Sequence, residues 1–92
     1  MITYTNRYSD TDEPDKHGRW AREVYCNGFR IGWICLIRGN VGHMYSANCH
    51  FPTNGNDSPT EGEVFLSPEG AKAFIAERWE YFLSVINEAP TH

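Results

Sequence analysis

The spacing of apolar positions changes along the chain. Ile2 and Tyr4 alternate with polar neighbours, which predicts a first strand over Ile2–Tyr8. The acid-rich stretch Ser9–Gly18 has no apolar period and reads as a loop. Trp20–Cys26 reads as a second strand, and Asn27-Gly28 is the pair a two-residue type I′ hairpin turn wants, because both central residues take positive φ. Phe29–Ile37 (FRIGWICLI) is apolar almost throughout, as a central strand would be, with Gly32 marking a bulge or a close approach. Arg38-Gly39-Asn40 makes the next turn, and Val41–Phe51 reads as a third antiparallel partner. Residues 52–62 are turn-rich, and Glu63–Leu66 reads as a short last strand.

The period then lengthens to that of a helix. Ser67 is placed as an N-cap, Pro68 takes the first helical position and Glu69 puts an acid in the first turn, all suited to the orphan amides and positive dipole end. Ala71, Phe74, Ile75, Phe82, Val85 and Ile86 recur at three- and four-residue spacing from about Pro68 to Glu88, so they form a stripe fit to lie on a sheet. Ala73, Glu77, Glu80, Ser84 and Asn87 fall on the opposite side. The expected fold is α+β: an antiparallel sheet of four to five strands packed on one C-terminal helix, a single domain over residues 1–92.

Ninety-two residues can fill one sheet face and one helix. The 40% hydrophobic and 14% aromatic content is enough for a core without metal or disulfides. Three cysteines, an odd number, and an N-terminus without a charged-then-apolar pattern predict a reduced, cytosolic protein. No apolar run approaches the roughly 20 residues needed to span a bilayer.

The net charge of −4 is unevenly spread. Residues 1–38 are near +1, and residues 39–92 are near −5. An unassisted nucleic-acid binder is seldom so acidic, whereas a chain that offers carboxylates to a basic partner would be. The densest acids are Asp10, Asp12, Glu13 and Asp15 in the first loop, with Asp57, Glu61 and Glu63 further on. At the least they confer solubility; placed along one surface they would compete for lysines and arginines that hold a nucleic-acid backbone.

Catalytic patterns are weak. Cys26, Cys35, Cys49, His43 and His50 are zinc-ligand types, but the cysteines are widely spaced along strands and Cys49-His50 face opposite sides, so they read as packed thiols. No nucleophile elbow, P-loop or dinucleotide fingerprint occurs. Trp20, Tyr25, Trp33 and Tyr45, interleaved with Arg22, Arg30 and Arg38, would suit a platform for unpaired bases, although strand aromatics are more often core. Arg78 falls within the helix's apolar stripe, where its stem packs and its head reaches the rim or meets a carboxylate.

The opening MITYTNRYSDTDEPDKHGRW, the hairpin VYCNGFRIGWICLI and the helix SPEGAKAFIAERWEYFLSVI together resemble the phage-encoded type I-F anti-CRISPR family numbered eighth. The resemblance spans nearly the whole chain and has no diagnostic motif. It implies a non-catalytic inhibitor without cofactor or metal, acting in the host bacterial cytoplasm. Such an inhibitor docks on the type I-F surveillance (Csy) complex and blocks target DNA recognition, with the guide RNA a further candidate contact. Charge and location, rather than the family, select the candidate partner-binding residues: Asp10, Asp12, Glu13, Asp15, Arg22, Arg30, Asp57, Glu61 and Arg78. The alternative is a phage accessory protein that binds single-stranded nucleic acid through the aromatic and arginine sheet face.

Overall fold

In a computed structural model, which describes residues 1–39, 42–51 and 61–88, with backbone alone at 38, 39, 61, 87 and 88, five strands precede one helix. They are β1 (Ile2–Arg7), β2 (Ala21–Cys26), β3 (Phe29–Gly39), β4 (Gly42–Cys49), β5 (Glu61–Phe65) and α1 (Pro68–Glu88). The strands form one antiparallel sheet in the order β1-β2-β3-β4-β5, an α+β architecture as the sequence predicts. Arg38 and Gly39 extend β3 instead of turning, and Glu61 and Gly62 extend β5 forward, because both segments find partners on β4. The expected turn residue Asn40, Val41 at the start of the expected strand Val41–Phe51, and the loop residue Asp57 lie outside the described residues.

Asn27 and Gly28 take φ of 51° and 88°, the paired positive values that a two-residue hairpin needs. The register slips between Val24 and Tyr25, so Ile31 is the extra residue of a bulge near the start of β3. Both Ile31 and Gly32 are buried as a result.

Helix α1 starts as its sequence dictates: the Ser67 hydroxyl accepts the Gly70 amide at 3.1 Å, capping one orphan donor. It lies across β3, β4 and β5. Ala71, Phe74 and Ile75 are buried against Ile34, Ala47 and Cys49, and Trp79 and Phe82 close the cluster over Phe51. The expected stripe does not stay on the sheet. Val85 and Ile86 are about half exposed, because a 21-residue helix outruns the strands beneath it.

One face of the sheet is thus covered by α1 over its β3–β5 half. Over the β2 end of that face lie Trp20 and Arg22, both buried and bonded to the loop that joins β1 to β2. The other face carries no described element.

Candidate functional site

The loop between β1 and β2 is built by its own polar side chains. The Asp15 carboxylate accepts the amides of His17 at 2.9 Å and Arg19 at 2.8 Å and pairs with the Arg19 guanidinium at 3.3 Å. These bonds, led by the Arg19 amide, hold the Asp15 carboxyl below the usual carboxylate range against some opposition from burial. Gly18, at φ 75°, completes this turn. Earlier in the loop the Ser9 hydroxyl bonds to the Glu13 and Thr11 carbonyls, and the Thr11 hydroxyl accepts the Glu13 amide at 3.1 Å. Such side-chain bonds to nearby main chain are what Ser, Thr and Asp supply in turns.

Two buried side chains, Trp20 just before β2 and Arg22 within it, tie this loop to the sheet. The Trp20 indole N–H donates to the Thr11 carbonyl at 2.8 Å. Arg22, 4% exposed, donates from Nη1 to the carbonyls of Ser9 at 2.9 Å and Ala21 at 2.8 Å, and from Nη2 to that of Thr11. Its guanidinium also lies 4.3 Å from the Trp20 ring. Burial lowers the Arg22 pKa, and the charges of Asp12 and Asp10 oppose that shift. A buried guanidinium is costly unless its donors are used, and here the loop carbonyls use them.

What this scaffold leaves outside is charge. Asp10, Asp12 and Glu13 are exposed and project from a backbone fastened at Ser9, Thr11 and Asp15. Asp15 itself is spent on the turn.

No family model, curated protein or solved structure matches the chain.

On the open face of the sheet, β-alternation collects a second group. Glu23 stands opposite Trp33 in the β2–β3 register. Its carboxylate meets two guanidiniums, Arg30 at 3.4 Å and Arg7 at 3.6 Å. Trp33 stacks obliquely on His50 at 6.4 Å between ring centres. Burial and the nearby Arg30 charge lower the His50 pKa. Arg7, Tyr8, Glu23, Arg30, Trp33 and Cys35 border a groove of about 200 Å³. At its head Tyr8 adopts φ 71°, an uncommon conformation for a bulky residue, and the Arg7 and Arg19 guanidiniums lie 5.5 Å and 4.7 Å from its ring.

The nine candidate residues therefore divide, with Asp15 taken up by its own turn. Asp10, Asp12 and Glu13 stand together on the loop. Arg30 is exposed on the open face, on a different surface of the sheet. Arg22, expected on the aromatic and arginine sheet face as a partner-binding residue, is instead buried and bonded to the loop, because its side chain falls on the core-facing side of β2 beside Val24. Arg78 is half-buried with its guanidinium 5.2 Å from the Phe74 ring, so its stem and head both lean on the helix. Asp57 and the Glu61 side chain lie outside the described residues.

The aromatic platform divides in the same way. Trp20 and Tyr45 pack edge to face at 5.2 Å in the core, while Tyr25 and Trp33 are half-buried on the open face. Arg7, Tyr8 and Glu23 escaped the sequence reading. Period two marks Arg7 as facing away from Tyr4, but the convergence of Arg7 and Arg30 on Glu23 depends on registers that the sequence alone does not supply.

Among the described residues no group of three or more His, Cys, Asp or Glu side chains is placed to hold a metal ion. Cys49 is buried and Cys35 opens on the opposite face, where burial raises its pKa and disfavours the reactive thiolate. No helix among the described residues is long and apolar enough to cross a membrane.

Proposed function

We propose that this protein is a non-catalytic docking inhibitor that uses the acidic β1–β2 loop to occupy a basic surface of a nucleic-acid-handling complex. The observation that carries this reading is the display of Asp10, Asp12 and Glu13 on a loop whose backbone is fastened to the sheet. A mobile acidic loop loses conformational entropy when it docks; one already fixed loses less, so more of its interaction energy appears as affinity. Carboxylates spaced along a rigid edge also steer the encounter with lysines and arginines.

The partner follows from the resemblance. It is the type I-F surveillance complex in the host bacterial cytoplasm, whose positively charged channel holds the guide and target strands. Carboxylates of this loop would take lysines that otherwise hold target DNA. Arg7, Arg30 and Trp33 on the open face supply a surface of opposite sign and are the side chains suited to guide-RNA phosphates and bases. That surface also favours the second reading, direct binding of single-stranded nucleic acid.

The deciding experiment adds the protein to purified type I-F surveillance complex before target DNA. The docking reading expects comigration with the complex and loss of DNA binding. It also expects that Asp10→Lys/Asp12→Lys/Glu13→Lys comigrates no longer. Unchanged inhibition by that triple variant would remove the loop from the mechanism. Affinity for bare oligonucleotides that falls steeply with salt, without comigration, would replace docking by the second reading.

A further inference from the structure

We infer that Arg22 is a positioning residue: from inside the fold it sets the conformation in which the β1–β2 loop presents its outer side chains. This inference rests on the docking reading for its functional consequence, but its structural part stands alone. Arg22 is the one charged side chain buried among the described residues, and it reaches no carboxylate at ion-pair distance. Its donors go instead to main-chain carbonyls on both sides of Asp10, at Ser9 and at Thr11, and to Ala21 of its own strand. Thr11 receives a second donor from Trp20.

Carbonyls two residues apart, gripped by one planar fork, fix the Ser9–Asp10 and Thr11–Asp12 peptides on either side of the Asp10–Thr11 pair. Arginine alone has this geometry; lysine offers a point charge with rotating donors. The Trp20 ring beneath the guanidinium restricts its tilt. The arrangement is therefore not generic core filling, which an apolar side chain of equal volume would do better. Its product is a fixed path for residues 9–13 over a sheet end that α1 does not cover.

The test compares Arg22→Lys with the unsubstituted chain by amide hydrogen exchange of the free protein and by dissociation from purified type I-F surveillance complex. Thr11 and Glu13 amides are expected to exchange at least about tenfold faster in Arg22→Lys while Ile34 and Ala47 amides keep their protection, as loss of a charge-assisted bond implies. Dissociation is expected to accelerate about tenfold as well. Unchanged exchange at Thr11 and Glu13, or a uniform rise across sheet and loop, would overturn the inference, since either outcome makes Arg22 an ordinary core residue.

Should Arg22→Lys fail to fold, Trp20→Phe removes one donor to Thr11 while keeping a ring under the guanidinium. Several-fold faster exchange confined to the loop is then expected, and no change at the loop refutes positioning. If exchange rises at the loop while the triple charge reversal leaves comigration intact, the positioning stands and the docking reading fails.

Discussion

Gly32 faces Ile75 so closely that a β-carbon on Gly32 would stand 3.3 Å from Ile75 Cδ1 and 2.5 Å from the main-chain oxygen of Asn48. The helix is seated on the sheet by this missing side chain. Gly32→Ala is expected to destabilise the fold by about 1–3 kcal/mol, the usual cost of overpacking a close contact. Ile75→Val in the same chain would relieve only the helix side, because the Asn48 oxygen belongs to the paired strand β4. Urea denaturation of the single and double variants measures both.

The Asp15 turn makes stability depend on pH. Its carboxyl titrates lower in the folded chain than in the unfolded one, chiefly because the ionised form accepts the Arg19 and His17 amides. The unfolded chain therefore binds the proton first as pH falls. The contribution of Asp15 is complete above the usual carboxylate range and is lost as pH drops through that range toward the lower folded value. Asp15→Ala is expected to lower the melting temperature at pH 7 and to flatten its fall between pH 5 and about 3. A melting series across that window, with and without the substitution, checks the sign.

Charge at the loop tip should act on encounter more than on residence. Asp10→Asn/Asp12→Asn/Glu13→Gln is expected to slow association with the surveillance complex by about tenfold at low salt and to remove most of the salt dependence of that rate. Stopped-flow association at two ionic strengths separates this outcome from the faster dissociation expected of Arg22→Lys.

Trp79 carries a buried indole N–H with no hydrogen-bond partner among the described residues. Trp79→Phe removes that unpaired donor along with some apolar area, and the two effects oppose each other. The variant is expected to lie within about 1 kcal/mol of the parent, whereas Phe82→Ala, which empties a place between Trp79 and Phe51, should cost about 3 kcal/mol. Chemical denaturation ranks them.

Secondary structure was legible where local chemistry decides it. Asn27-Gly28 specifies its turn, and Ser67-Pro68-Glu69 specifies a helix start, whatever the rest of the chain does. The facing of side chains was legible only in part. Arg22 looks like any surface arginine in sequence, and its burial depends on a loop folding back over the sheet, a relation between distant segments. Val85 and Ile86 continue the helical period correctly, yet the period says nothing of where the sheet ends. The Arg7–Glu23–Arg30 group requires two strand registers at once, so no single window of sequence contains it. The acidic loop was visible as charge, while its fixed backbone was not.

The strand order has a kinetic consequence. Every strand pairs with its predecessor in the chain, so no pairing waits for remote segments to meet, and each closing loop loses little entropy. A ladder of this kind can be laid down one rung at a time, from the Asn27-Gly28 turn outward, before α1 arrives to cover β3–β5. Refolding from denaturant should accordingly be quick for a sheet protein, with short-range pairing rather than long-range search setting its rate.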